Sequence, residues 1–302
     1  MVKHLNPLYR KAIALGTGVV VAASLLACSA PNAASSPSSA TSAPAPATPA
    51  PKTRKVTNAE HELVFHVVDG KLPALVLDAG GGLGSSYWKD MAPRLAKATG
   101  SKVVTYDRAG EGESDEISGP WRVENAVSDL EAGLRELGLT KNVVLVSHSI
   151  AGEVATNFVH KNPGWVSGAV LVDANVPDFF TDEMLTAFEP VIEKQRAALL
   201  TQASTKKNRQ LLAVMVDYAP VHRVFHQLTW PKDVPVTAIV ASGTPFADSP
   251  EAAKMWRDAQ VRFAQGPNRK HVLAENTTHE GIVTERPEII AGAVDDVLKT
   301  IR

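Results

Sequence analysis

The sequence predicts an α/β protein built on a mostly parallel sheet, and three observations carry that expectation. Short apolar or β-branched runs alternate with segments of helical spacing from about residue 60 to the C-terminus, as strands joined by crossover helices do. Most of these runs are apolar throughout rather than at every second position, as strands buried on both faces require. One of them, Asn142-Val-Val-Leu-Val-Ser147, leads without a break into His148-Ser149-Ile150-Ala151-Gly152-Glu153 and a helix-compatible segment to His160, which reads as strand, sharp turn, helix.

The 302-residue chain changes character near residue 55. Lys3, Arg10 and Lys11 precede an uncharged, largely apolar run from Ala12 to Ala27. A basic start followed by a hydrophobic stretch too short for a comfortable membrane span reads as an export signal over residues 1–27. The run ends Leu25-Leu26-Ala27-Cys28, which resembles the lipobox of bacterial lipoproteins. That resemblance implies cleavage before Cys28 and lipid on its sulfur, and so an exported protein anchored to a bacterial cell membrane or outer membrane. Cys28 is the single cysteine of the chain, so no internal disulfide is possible. Residues 28–55 form the expected tether: from Ser29 to Pro51 every residue except Asn32 is Ser, Ala, Pro or Thr, a composition that buries no core and that proline keeps extended. The folded domain is expected over residues 56–302.

Lysine and arginine number 31 against 32 acidic residues, for a formal charge of −1. This balance gives no ground for a nucleic-acid partner, nor for a membrane contact other than the anchor. No internal repeat, metal-ligand cluster or cofactor motif is visible.

Within the domain, Glu62–Val68 alternates and Ala74–Leu77 is continuously apolar, with Asp69-Gly70 between them as a turn signal, so two strands are expected to open the fold. The second runs into Asp78-Ala79-Gly80-Gly81-Gly82-Leu83-Gly84, where a backbone free of side chains can approach a ligand and aim N–H groups at it. The spacing lacks the G-x-G-x-x-G and G-K-[ST] patterns of nucleotide loops. A helix over Met91–Thr99 precedes a buried strand from Lys102 to Tyr106, which ends in Asp107-Arg108-Ala109-Gly110-Glu111-Gly112-Glu113-Ser114-Asp115. The strand from Gly168 to Val172 closes on Asp173-Ala174-Asn175. From Pro177 to about Trp230 strand character gives way to helical spacing. Strands then return at Val234–Val240 and Lys270–Ala274, flanking a helix from Pro250 to about Gln265. The tail, Asn276-Thr277-Thr278-His279-Glu280-Gly281, leads into a terminal helix through Leu298.

The run Tyr-Asp-Arg-x-Gly-x-Gly-x-Ser, a glycine-rich loop one strand earlier and a Ser-His-Ser elbow one strand later together resemble the α/β-hydrolase superfamily. The resemblance covers nearly all of the chain from about residue 60. It implies the α/β-hydrolase fold with a small helical cap at about residues 177–230. Phe179, Phe180, Tyr218, His222, Phe225, His226 and Trp230 are either lining residues of that cap or, taken singly, packing between cap and core.

In this setting Ser149 is the candidate nucleophile. Its neighbours two positions away, Ser147 and Ala151, stand where the G-x-S-x-G form has glycines and keep its steric logic. His279, in a loop after the last strand, is the candidate general base by the order nucleophile, acid, histidine. The oxyanion donors are expected to be the N–H of Ile150 and one from Gly81 or Gly82. The acid stays open. Members of the superfamily most often place it after the seventh strand, where no carboxylate appears before Asp248; a second placement, after the sixth strand, points to Asp173, which is preferred here, with Asp178, or no acid at all, as the remaining alternatives. The reading is a serine hydrolase of a small acyl substrate, an ester before a lactone, an amide or a carbon–carbon bond, with no metal or cofactor. The rivals are a catalytically silent binding module on the same fold, and a lyase or perhydrolase using the same elbow.

Overall fold

The computed structural model describes residues 50–301 except Ala247. The proposed signal segment and Cys28 lie outside the described residues. The strands are β1 (Lys52–Asn58), β2 (His61–Val68), β3 (Lys71–Asp78), β4 (Ser101–Asp107), β5 (Val143–His148), β6 (Val166–Val172), β7 (Val236–Gly243) and β8 (Arg269–Thr278). They form one sheet in the order β1-β2-β4-β3-β5-β6-β7-β8, in which β2 runs antiparallel to both its neighbours, β1 and β4, and every other pairing is parallel. This is the mostly parallel, doubly covered sheet that the alternation implies. All six residues of β5 are buried, since helices cover both faces.

One face is covered by α1 (Met91–Thr99) and the terminal α9 (Pro287–Thr300), preceded by the short α8 (Ile282–Glu285). The other carries α2 (Val123–Glu136), α3 (Ala151–Lys161) and α7 (Pro250–Ala264). Between β6 and β7 the cap consists of α4 (Asp182–Leu200), α5 (Lys206–Met215) and α6 (Tyr218–His226). Helix α4 starts on Thr181, whose side chain accepts from the Met184 N–H, and α7 on Ser249, which accepts from the Ala252 N–H ahead of Pro250; both are capping arrangements written in the sequence.

The folded domain begins earlier than residue 56. Lys52–Lys55, expected in the tether, belong to β1 and pair with Val64–Val67 of β2. Three strands therefore open the domain instead of two. Only Val56 of β1 is buried, so this edge strand is held by backbone hydrogen bonds and carries no apolar alternation to reveal it; its lysines and arginine also blunt an open sheet edge. At the other end, β8 runs on through Asn276-Thr277-Thr278, polar residues expected in a loop, and delivers His279 at its last step.

Beneath the sheet's C-terminal edge lies a buried charge cluster. The Arg108 guanidinium donates to Asp78, to the carbonyls of Ala79 (2.6 Å) and Gly80 (2.9 Å), and to Glu111 (2.9 Å). Tyr106 donates to Asp78 at 2.7 Å, and the Gly82 N–H to Glu111 at 2.9 Å. One cation thus faces two carboxylates, all shut away from water. Burial raises Asp78 above the usual carboxylate range and pushes Glu111 up to about 8, against the pull of Arg108.

The ordinary value for Glu111 is 4.5. The folded state therefore keeps a proton that the unfolded chain has released, and the stabilisation tied to it is present at acid pH and lost as pH rises through about 8. Urea unfolding at about pH 6 and about pH 8.5 should show wild type losing stability across this window. The slope is at most about 1.4 kcal/mol per pH unit. Glu111→Gln, which keeps the shape without the titration, should lose less, and an equal loss would locate the proton elsewhere.

Candidate active site

Strand β5 ends at the elbow. Ser149 takes φ 57°, a left-handed conformation that costs a non-glycine residue energy. The turn is held by its own carbonyl, which accepts from the N–H of Gly152 (3.0 Å) and of Asn175 (2.8 Å). Gly152 lets helix α3 pass this close: a Cβ there would collide with the Asn175 carbonyl. Ser147 and Ala151 are both buried, which is where a larger side chain would be excluded.

The structure brings Ser149, His279 and Asp173 into one hydrogen-bonded chain. Ser149 Oγ lies 3.0 Å from His279 Nε2, and His279 Nδ1 lies 2.6 Å from Asp173 Oδ2. A carboxylate only accepts, so Nδ1 carries the proton and Nε2 is free to accept from the serine hydroxyl. Asp173 is fully buried and sits just past β6 with φ 43°. Its other oxygen accepts from the Trp256 indole N–H (2.8 Å) and the Ala241 N–H (3.3 Å), which fixes the carboxylate plane. Trp256 comes from α7 and was invisible to sequence reasoning, because nothing in a helical tryptophan's spacing tells which acid its N–H will meet.

The alternative acids lie elsewhere. Asp248 is exposed at the cavity's edge, and no hydrogen bond joins it to His279 among the described residues. Asp178 lies in a short 3-10 turn, where its carbonyl accepts from Arg262.

Of the expected oxyanion donors, Ile150 and Gly81 line the cavity with Ser149, and among the described residues no acceptor takes the N–H of either. Gly82 is a correction. Its N–H is already given to Glu111 at 2.9 Å, and it does not line the cavity. The motif could not disclose this, because it depends on a carboxylate 29 residues away folding under the loop.

His148 supports the histidine-bearing loop. Its Nε2 meets the His279 carbonyl at 2.9 Å and so carries the proton. Burial, followed by the neighbouring His279, pushes His148 well below the ordinary histidine range, so it stays neutral with Nδ1 bare. Its ring lies between Tyr87 (4.8 Å) and His279 (4.6 Å), and the Tyr87 hydroxyl donates to the Glu280 carbonyl at 3.0 Å.

The cavity above Ser149 has a volume of about 410 Å³, within the usual range for small-molecule sites. Phe179, Phe180, Tyr218 and His222 of the cap line it. Phe225, His226 and Trp230 instead pack or bond away from it: His226 meets the Pro177 carbonyl and Trp230 donates to the Val234 carbonyl. The cap is fastened to the core by Lys206, which donates to the carbonyls of Gly112 and Ser114, and by the Arg209–Glu116 ion pair at 2.7 Å. Among the described residues no group of three or more His, Cys, Asp or Glu is placed to hold a metal, and no helix is long and apolar enough to cross a membrane.

Comparison with known proteins agrees with this architecture. The chain is similar to a thermophilic esterase from Thermogutta terrifontis, with a TM-score of 0.57 and 21% identity over 83% of this chain and 99% of that one. It is also similar to the haloalkane dehalogenase DatA from Agrobacterium tumefaciens, with a TM-score of 0.61 and 16% identity over 84% and 98% of the two chains. Among curated proteins, the uncharacterized protein YqjL of Bacillus subtilis is 30% identical over 115 residues, 36% of this chain and 45% of its own length. The match thus spans less than half of that relative. The profile of the alpha/beta hydrolase family matches residues 75–293, most of the described chain and every strand of the sheet from β4 onward, and the protein is a member of that family.

Proposed function

We propose that this protein is a serine hydrolase of a small acyl substrate, an ester first, and that Ser149, His279 and Asp173 do the chemistry. The observation that carries this is the unbroken hydrogen-bonded chain from Ser149 Oγ through the His279 ring to Asp173 (3.0 and 2.6 Å), opening on a single cavity. In the first step His279 Nε2 takes the hydroxyl proton as Ser149 Oγ attacks the carbonyl carbon, and the tetrahedral oxyanion meets the N–H groups of Ile150 and Gly81. Such donors are worth about 3 to 4 kcal/mol each. The imidazolium returns its proton to the leaving alcohol, and a water repeats the sequence on the acyl-enzyme. Asp173 holds the tautomer and stabilises the imidazolium. The fold neighbours include both an esterase and a dehalogenase, so likeness alone does not choose a reaction. A hydroxyl nucleophile facing N–H donors favours one that develops charge on an oxygen.

A fluorophosphonate probe is expected to label the domain at Ser149 and to leave Ser149→Ala unlabelled. A folded wild type that stays dark would favour the binding-module reading. Asp173→Asn should lower kcat on p-nitrophenyl esters by roughly 10⁴-fold with the fold intact, because asparagine orients the wrong tautomer and cannot stabilise the imidazolium. Asp248→Asn should change kcat little. The reverse outcome would move the acid to the seventh-strand loop.

The same reading carries the N-terminal expectation forward as a proposal: the mature protein begins at Cys28 and hangs from a bacterial membrane by acyl chains, the Ser/Ala/Pro-rich segment spacing the domain from the surface. Each buried CH₂ of such a chain contributes about 0.8 kcal/mol. Material from a bacterial host should partition into detergent with an added lipid mass on Cys28, and Cys28→Ser should lose both properties. A soluble mature form with its N-terminus elsewhere would overturn this.

A further inference from the structure

Resting on the assignment of Ser149 as an acylating nucleophile, we propose that Gln195 and Tyr218 form a polar subsite in the cap, and that the substrate bears a neutral hydrogen-bond acceptor, a ketone or amide carbonyl, besides its scissile carbonyl. Much of the cavity wall is apolar, as at Leu83, Phe179, Phe188, Ile192, Leu211 and Met215. Most of its polar side chains are already engaged within the protein. Asn175 donates to Glu153 at 2.5 Å. His222 meets the Tyr218 carbonyl at 2.7 Å and Glu153 at 3.0 Å. His148 meets the His279 carbonyl, Thr244 accepts from the Phe246 N–H and Thr278 from the Gly281 N–H.

Gln195 differs. Neither atom of its amide has a partner and both are covered in this structure, while the residue lines the cavity, so the amide meets a ligand by turning about its own side-chain torsions into that space. It falls on the same face of α4 as two apolar lining residues, Phe188 and Ile192, at the seven- and three-residue offsets that one helix face repeats. A buried amide left unsatisfied is costly, and a ligand carbonyl removes part of that cost. Tyr218 lines the same cavity from α6, and its hydroxyl makes no hydrogen bond among the described residues. Burial, then the nearby Glu153, pushes its ionisation far above the ordinary phenol value, so the hydroxyl remains a donor.

Charge narrows the class. No lysine or arginine lines the cavity among the described residues, whereas Asp248 and Glu280 do. A carboxylate or phosphate on the substrate would enter without a counter-ion and against two acids. A neutral acceptor meets the Gln195 amide N–H and the Tyr218 hydroxyl with no such penalty.

The test compares p-nitrophenyl hexanoate with p-nitrophenyl 5-oxohexanoate, which differ by one carbonyl replacing a methylene. Wild type should favour the oxo ester in kcat/KM by at least about tenfold. Gln195→Met and Tyr218→Phe should each bring that ratio toward one. In parallel, calorimetry on Ser149→Ala with methyl hexanoate and methyl 5-oxohexanoate reads the same preference in affinity, without chemistry. Fluorophosphonate labelling and hexanoate turnover by wild type report the nucleophile by themselves, so their failure strikes the hydrolase reading and leaves the affinity ratio to judge the subsite. A ratio near one in both measurements for wild type, or a ratio that both variants leave unmoved, would overturn the subsite.

Discussion

The site depends on one buried cation. Arg108 lies beneath the glycine loop and draws the carbonyls of Ala79 and Gly80 toward the core. A peptide whose C=O is pulled down presents the following N–H the other way, and for Gly80 that N–H belongs to Gly81. Free glycine backbone has too many conformations to hold a donor in place, and its entropy works against any fixed arrangement. The guanidinium supplies the constraint, because its planar fork can serve two carbonyls and two carboxylates at once. An isolated charge at this depth would be untenable; Asp78 and Glu111 make it tolerable and are fixed in turn by Tyr106 and the Gly82 N–H. The Asp-Arg run of β4 and the glycine loop after β3 therefore act as one unit, although 20 or more residues separate them in the chain.

Strain at Ser149 and Asp173 is held the same way, by neighbours that leave no alternative. Ser149 and Asp173 both have positive φ, and they sit at the ends of adjacent strands paired from Val143–Val166 to His148–Val172. The Ser149 carbonyl is trapped by two N–H groups, and the Asp173 N–H donates to the Ile239 carbonyl at 2.6 Å while its carboxylate is gripped by Trp256, Ala241 and His279. Each strained residue thus sits in a fully determined shell, the condition under which such conformations persist. The outcome is a hydroxyl, an imidazole and a carboxylate projected from three different strand ends into one cavity.

What the sequence disclosed follows from range. Continuous apolar runs revealed β3 to β7, since burial on both faces imposes composition strand by strand. The pairing of the elbow serine with the late histidine, seen in the 3.0 Å contact, was legible because the candidate chemistry demands particular residue types in a particular order. Asp173 was legible only as a preference over Asp248 and Asp178, because three aspartates in range look alike until the strands are laid side by side. Strand β1 escaped because backbone pairing at an edge asks nothing of its side chains. Gly82 was read as equivalent to Gly81 because what separates them, the carboxylate of Glu111, is a tertiary contact. Trp256 went unnoticed for the same reason: an aromatic on a helix is core by default, and its indole N–H acquires a partner only when α7 packs beside β6.

The cap completes the argument, because it is bolted to both halves of the site rather than laid over it. Lys206 and Arg209 of α5 seize the loop after β4, the loop that also houses Arg108 and Glu111. His222 of α6 meets Glu153 in the first turn of α3, the helix that follows Ser149. Asn175 extends the second contact to the elbow: its side chain donates to Glu153 and its backbone N–H to the Ser149 carbonyl. Helix α6 is thus joined to the Ser149 carbonyl through three hydrogen bonds, and α5 is joined to the loop whose Arg108 holds the Ala79 and Gly80 carbonyls. The cap's contacts thus bear on both the shape of the cavity and the placement of Ser149 and the glycine loop, so a substitution that reshapes the cap is expected to act on these as well.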